Sequence, residues 1–393
     1  MQIIYEREIK NNIKKLDDLW NNDSTFIFLP DHSGINNKWL KKSIEKIPNK
    51  YCKDHFALLT SGSTGQPKIV IGNKERSEKL AFLLHEVQFS DPVKATILAL
   101  PLSYCYAFVN QWLWARVHER SLMFTEGLKY PDRLKEVLLN ADNAMLCLIG
   151  AQVPLMERYY SNNDFPGVIR VHFAGGKFPQ RQIEIVEKIF PNAKIFNNYG
   201  CAEAMPRLTL RKLEESDDFS NIGKPLPGIE MKTGSKGEIL FRSPFRAIGF
   251  IDKEGSRFLS DDEWIPSGDF GEEVSDGYWK LKGRSNEVFK RYGEKISLPQ
   301  LLDTVNKQWN GQAVFYNVKD KNGEDAHVLV LSPQPAKEDI RRLLQMFRKK
   351  HTRPHWPLRI EGVSQMPLLS NGKIDNLKIK LITDKIIFWE QIG

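Results

Sequence analysis

Cysteine is scarce in this 393-residue sequence. The four present, Cys52, Cys105, Cys147 and Cys201, show no C-x-x-C spacing, so neither a disulfide framework nor a structural zinc site is suggested, and reduced thiols fit best. The opening segment, MQIIYEREIKNNIKK, lacks the apolar run and small-residue cleavage site of a secretory signal. A cytoplasmic protein is expected. Long hydrophobic runs are also missing, with one exception: Ala95 to Ala115 carries no charge. It is long enough on paper to span a bilayer. It contains Pro101, Ser103, Asn110 and Gln111, however, and reads as a buried strand, a turn and an aromatic-rich helix, so no membrane span is expected. No repeat of fixed period and no low-complexity tract occurs, which excludes solenoids and propellers.

Hydrophobic residues at 41% and charged residues at 27% describe an ordinary globular chain. The net charge is 57 − 49 = +8, and residues 285–393 hold 18 − 12 = +6 of it. A basic final quarter seeks phosphates, membranes or acidic proteins. No zinc-finger or RNP motif accompanies it, so a nucleic-acid partner is not expected.

Short apolar runs ending in Gly, Ser, Thr or Pro alternate with stretches of helical period, as in Gln180 to Phe190. That order predicts an α/β fold: a large N-terminal domain of layered α/β sheets, residues 1–284, with functional loops at strand ends. After about residue 220, close-set Gly and Pro among short β segments predict a small β-barrel-like subdomain or distorted sheet. Residues 285–393 read as a small α+β domain. Its helix KEDIRRLLQMFRKK places Ile340, Leu343, Leu344 and Phe347 on one face.

The sharpest local signal is TSGSTGQPK, Thr60 to Lys68, directly after the apolar FALL. Two glycines permit a tight turn that presents backbone N–H groups, four hydroxyls add donors and the lysine adds a cation, as a polyphosphate requires. It is not a Walker A loop, because Pro67 stands where that motif needs glycine before the lysine.

Further elements follow in order: AGGKFP (174–179), NNYGCAEAM (197–205), GEILFR (237–242), SGDFG (267–271), GRSNEVFKRYGEKIS (283–297) and NGKID (371–375). Together with TSGSTGQPK they closely resemble the adenylate-forming superfamily of acyl- and aryl-CoA synthetases, peptide-synthetase adenylation domains and luciferases. The resemblance runs from about residue 56 to 380. It implies a two-step ligase in which a carboxylic acid and ATP give an acyl-adenylate and pyrophosphate, after which a thiol displaces AMP.

The resemblance also implies roles. Thr60, Ser61, Gly62, Ser63, Thr64, Gly65 and Lys68 would hold the β- and γ-phosphates of ATP. Asn198, Tyr199 and Gly200 belong to the element that meets adenine, with Gly175 and Gly176 as the opposite wall. Asp269 would accept from the ribose hydroxyls, assisted by Arg284. Glu203 would bind Mg²⁺, a hard oxygen donor for a hard ion. Lys373 would bridge the attacking carboxylate and the α-phosphate, where a cation is worth most in the transition state. In similar enzymes the C-terminal domain is a mobile lid, for which Asn286 is the hinge candidate. Lys290 and Gly293 would then line the thiol channel. The acid pocket would be walled by Ser103, Tyr104, Tyr106, Phe108, Asn110, Gln111, Ala151 and Met205, suited to an aromatic or short to medium acyl acid. An amino acid fits less well, because the place of the usual buried aspartate falls near Cys105 and an unpaired ammonium is costly to bury.

Three positions depart from the family pattern: Ala202 replaces the usual threonine before Glu203, Ser103-Tyr104 stands at the aromatic gate, and Asn286 stands at the hinge. Only 59 residues precede the phosphate loop, where the family usually has well over 100. An abbreviated first subdomain and a homodimer are therefore expected. The acceptor would be CoA or, preferably, the phosphopantetheine of an acyl carrier protein, gripped by Arg341, Arg342, Arg348, Lys349, Lys350 and Arg353. An adenylate-binding regulatory homologue of weak activity is the alternative from another class, motivated by Ala202.

Overall fold

The computed structural model describes residues 1–10, 12–31, 36–61, 67–175, 178, 180–218, 220–284, 287–368 and 374–391. The chain divides into two compact units. The first comprises Met1–Ser267 with Glu272–Lys280, and the second Gly268–Gly271 with Leu281–Gly393.

At the heart of the first unit, five parallel strands lie in the order Ser121–Phe124, Ala95–Leu98, Ala144–Leu148, Val168–Ala174 and Lys194–Tyr199. Their runs, such as AMLCL, are apolar on both faces because helices cover both sides of a parallel sheet. Helix Pro131–Leu139 buries Leu134 and Leu138, helix Val153–Tyr160 buries Val153, Met156 and Tyr160, and helix Ile183–Ile189 buries Val186 and Ile189. Thr209–Lys212 and Asn221–Pro225 then add in antiparallel sense, and the short strands after residue 220 carry this sheet to 11 strands.

A second sheet of six strands runs Gln2–Tyr5, Phe26–Leu29, His55–Ser61, Pro67–Asn73, Gly249–Ile251 and Ser256–Phe258. Trp20, Phe26, Phe28, Phe56, Phe108 and Trp112 form an aromatic cluster, with Phe108 stacked on Phe56 at 5.0 Å and tilted against Trp112 at 4.7 Å. The uncharged stretch after Leu98 is the turn and helical segment that delivers Phe108 and Trp112 to that cluster, with a wider π-type turn over Phe108–Leu113. Among the described residues, no helix is long and apolar enough to cross a membrane.

The second unit is built on a four-stranded sheet in the order Gln312–Lys319, Asp325–Ser332, Arg359–Gly362 and Ile386–Glu390. Helix Lys337–Lys350 packs Ile340, Leu343, Met346 and Phe347 into its core, with the basic residues on its exposed face. Asp339 starts that helix by accepting from the Ala336 N–H at 2.9 Å. Arg348, Lys349 and Lys350 end it, where cations suit the helix dipole.

Candidate active site

Strands His55–Ser61 and Pro67–Asn73 pair antiparallel in a register that puts Thr60 opposite Lys68. The Thr60 hydroxyl donates to the Lys68 carbonyl at 3.3 Å. Thr60 and Lys68 therefore face each other near the end of this strand pair. Gly62, Ser63, Thr64 and Gly65 lie outside the described residues, as do Gly176, Asn286 and Lys373, and Ser61 is described in its backbone alone.

Lys68 reaches across to Glu203. Its ammonium lies 2.5 Å from the Glu203 carboxylate, with both side chains about four-fifths buried, and 3.9 Å from the centre of the Phe250 ring. Glu203 sits in the short helical turn Ala202–Ala204 that follows strand Lys194–Tyr199. The Ala247 N–H donates to the Glu203 carbonyl at 2.8 Å. The turn closes on Met205 in the left-handed region (φ 53°), followed by a cis Met205–Pro206 bond. Gly200 has to be glycine here, since a Cβ would stand 1.9 Å from the Pro206 carbonyl oxygen. Tyr199 precedes it at the strand end, largely buried.

The expected acid wall resolves into distinct roles. Phe108 is wholly buried in the aromatic core. Gln111 is wholly buried too and donates to the Thr96 hydroxyl and the Ile97 carbonyl, both at 2.8 Å. Met205 packs against Gly72 and Phe56, with its sulfur 3.9 Å from that of Cys105. Ala151 is exposed, in the short helical turn Gly150–Gln152 that precedes helix Val153–Tyr160. Ser103 donates its hydroxyl to Glu6 at 2.7 Å, and the same carboxylate accepts from the Leu102 N–H at 2.8 Å and the Ser103 N–H at 3.4 Å. Glu6 thus ties the segment that leads into Tyr104.

Tyr106 belongs to a buried polar cluster that sequence reasoning did not assemble. The Asn198 amide donates to the Tyr106 hydroxyl at 2.5 Å and to His172 Nδ1 at 3.2 Å. Arg207 donates to Asn110 Oδ1 at 2.7 Å, and Asn110 donates in turn to the Tyr106 carbonyl at 3.0 Å. Burial, with the nearby Arg207 and Arg170 guanidinium groups, holds the His172 pKa well below the usual imidazole range. Burial pushes the Tyr106 hydroxyl well up and the Cys147 thiol to about 12. Arg207 is pulled down to about 10 by its own burial and stays cationic at neutral pH. The missed residues are His172 and Arg207. A histidine inside the apolar IRVHFA and an arginine inside AMPRLTL were the available signals.

In the second unit, Asp269 is buried and Arg284 exposed, with their charged groups 3.4 Å apart. Lys290 is exposed on strand Val288–Arg291, which forms a hairpin with Glu294–Ser297. Tyr292 (φ 48°) and Gly293 (φ 83°) make its two-residue turn. Positive φ at both central positions is what such a turn demands, so the turn accounts for the glycine without a ligand.

The layered α/β fold and the contact between Lys68 and Glu203 point to one class of enzyme. Residues 9–250, more than half of the chain, match the family of AMP-binding enzymes, and the chain belongs to that family. D-alanine–D-alanyl carrier protein ligase of Staphylococcus aureus (strain Newman) is 24% identical over 350 residues, covering 82% of this chain and 70% of its own length. O-succinylbenzoate coenzyme A synthetase of Bacillus subtilis, solved with AMP, has a TM-score of 0.69 at 17% identity, covering 90% of this chain and 78% of that one. ATP-bound MatB of Rhodopseudomonas palustris has a TM-score of 0.70 at 14% identity, covering 83% and 67%. These structural likenesses are likenesses of fold.

Proposed function

We propose that this chain activates a carboxylic acid with ATP as an acyl-adenylate, releasing pyrophosphate, and passes the acyl group to a phosphopantetheine thiol. One observation carries the reading: Lys68, the last residue of the hydroxyl-rich segment, and Glu203, 135 residues later, are held together at 2.5 Å in a member of the AMP-binding family. A cation for phosphate and a hard carboxylate for a metal are what a magnesium triphosphate needs side by side.

Among the described residues, no group of three His, Cys, Asp or Glu could cage a metal. Mg²⁺ is commonly held through one or two carboxylates plus substrate phosphates and water, so it needs no such group. Glu203 would hold it, and when bound it would neutralise charge on the triphosphate. Lys68 then exchanges its carboxylate partner for phosphate oxygen. Thr60 to Gly65 would supply donors to the same phosphates, and Tyr199 and Gly200 the floor for adenine. The resemblance supports Asp269 and Arg284 for the ribose, and Lys373 as the cation that neutralises the attacking carboxylate and the α-phosphate.

The carboxylate oxygen bonds to the α-phosphorus while the α–β bridge breaks and pyrophosphate leaves. A thiolate then attacks the acyl carbon and AMP departs, the thiol proton passing to solvent. Splitting the reaction converts a poor electrophile into a mixed anhydride. Lys290, Gly293 and a hinge at Asn286 belong to this second step. The carrier protein named by the Staphylococcus aureus relative, together with the exposed basic face of helix Lys337–Lys350, favours an acyl carrier protein over CoA.

Acid-dependent exchange of labelled pyrophosphate into ATP tests the reading, with Glu203→Gln and Lys373→Ala as controls. Exchange that collapses in both variants supports it. Tight nucleotide binding without exchange for any acid would favour the weakly active homologue, for which Ala202 is the motivating observation.

A further inference from the structure

Arg207 is 1% exposed, and its surroundings differ from those of the other buried arginines. Arg170 also has no acidic group acting on it, but both its terminal nitrogens donate to carbonyls, of Ile169 at 2.9 Å and Phe89 at 2.8 Å. Arg211 donates to the Ser216 and Asp218 carbonyls and to Gln180, all at 2.8–3.0 Å, with Asp218 near its charge. Arg246 has the Ala247 and Ser260 carbonyls and Asp261. Arg291 has the Pro354 and Trp356 carbonyls at 3.1 Å and Asp320 at 3.7 Å. Arg207 has one amide oxygen, that of Asn110, while its Nε and Nη2 have no partner among the described residues. The ionisable groups that act on it are Tyr106 and Cys147. Both keep their protons at neutral pH, so neither is a counter-ion.

Leaving a buried guanidinium without an anion costs several kcal/mol, and a ligand that brings the anion removes that cost. The polar atoms beside Arg207 say what kind of ligand. His172 accepts at Nδ1, which places its proton on Nε2, and Nε2 has no partner; Asn198 Oδ1 is likewise open. The open atoms are thus three donor nitrogens and one acceptor oxygen. A carboxylate meets the three donors, leaving Asn198 Oδ1 for a hydroxyl or water beside it, whereas an ammonium would meet a fixed positive charge.

We propose that the acid activated by this chain carries a second anionic group, and that Arg207, flanked by His172 and Asn198, is the specificity residue that receives it. This rests on the adenylating role proposed above and adds the substrate class. A dicarboxylic acid is the simplest member of that class. The second carboxylate enters the buried cluster while the first is activated.

The test uses the full chain and two series of probes: benzoate against phthalate, isophthalate and terephthalate, and butyrate and hexanoate against succinate, glutarate and adipate. Pyrophosphate exchange gives kcat/KM, and the ligand-induced rise in melting temperature gives binding without turnover. At least one dicarboxylate is expected to exceed its monocarboxylate counterpart by about 100-fold or more, as for a site whose buried donors an incomplete ligand leaves unpaired. The ratio should fall to within about threefold in Arg207→Gln and recover in part in Arg207→Lys, because lysine restores charge without the planar fork. The wild-type ratio needs no variant, so a poorly folding substitution does not decide the matter.

Monocarboxylates turned over as well as every dicarboxylate would overturn the inference and leave the adenylating role standing. Equal loss of both classes in Arg207→Gln would assign Arg207 to the reacting carboxylate instead, and overturn it too. So would the absence of both exchange and binding for all dicarboxylates. Binding of a dicarboxylate that depends on Arg207, with no exchange, would uphold the anion site and reject adenylation.

Discussion

The Lys68–Glu203 pair sets a measurable energy in the nucleotide-free protein. Exposed ion pairs couple by about 0.2–1 kcal/mol, and breaking a fully buried pair costs about 3–5 kcal/mol. With side-chain exposures of 18% and 19% and a separation of 2.5 Å, this pair falls between, at a coupling of about 1–3 kcal/mol. Lys68→Met, Glu203→Gln and the double variant form the cycle, read by urea denaturation without nucleotide or magnesium. The loss of the Lys68 contact with the Phe250 ring occurs in both arms and cancels. Each single variant leaves one charge in a mostly buried site, so the double variant should be more stable than the sum of the singles predicts. Additivity within about 0.3 kcal/mol would refute the reasoning, since it would mean that the two side chains are placed by their own strands and not by each other. Pyrophosphate exchange provides the functional side. Both singles should lose about 100-fold or more, and the double should be little worse than the more damaged single, because both residues serve one magnesium triphosphate.

Other outcomes follow from individual contacts. Glu6→Ala leaves the Leu102 and Ser103 donors unmet and should cost about 2–4 kcal/mol, raising KM for the acid more than for ATP; a stability change under about 0.5 kcal/mol would show that these hydrogen bonds do not hold the segment. Gly200→Ala drives a Cβ to 1.9 Å from the Pro206 carbonyl oxygen, so a loss of about 2–3 kcal/mol in denaturant titrations is expected, and a neutral result would contradict that close approach. His327 is wholly buried, donating Nε2 to the His355 carbonyl, and burial lowers its pKa to about 3. A histidine depressed in the folded state contributes stability that is complete above its unfolded pKa of about 6.5 and is lost as pH falls from there toward 3, by about 1.4 kcal/mol per unit. The acid branch of the melting profile should therefore flatten in His327→Gln, and an unchanged slope would refute the assignment.

Residue type and spacing revealed what is local. The Gly- and hydroxyl-rich loop could be read because the apolar FALL precedes it; that the strands flanking it pair antiparallel could not. Helix Lys337–Lys350 could be read because its apolar period is clean. The Lys68–Glu203 contact could not, since it depends on two sheets meeting across 135 residues. Arg207 and His172 escaped for a related reason. Each interrupts an apolar run, and a single polar residue in such a run reads as a satisfied core group until its neighbours are known. Phe108 shows the reverse. An aromatic next to the expected gate looked like a wall residue, but it is an interior member of the cluster with Phe28, Phe56 and Trp112. At Gly293 the resemblance implied a thiol channel, and the positive φ at both Tyr292 and Gly293 gives the glycine a second reason, a two-residue turn.

The central claim is that a substrate carboxylate attacks the α-phosphate of ATP. Incubating the full chain with Mg-ATP, a thiol acceptor and an acid labelled with ¹⁸O in its carboxylate, followed by mass spectrometry of the products, tests it directly. One ¹⁸O atom in AMP, with unlabelled pyrophosphate, is the predicted result. Label appearing in inorganic phosphate beside ADP, or lost to water while a thioester accumulates and AMP stays unlabelled, would contradict it.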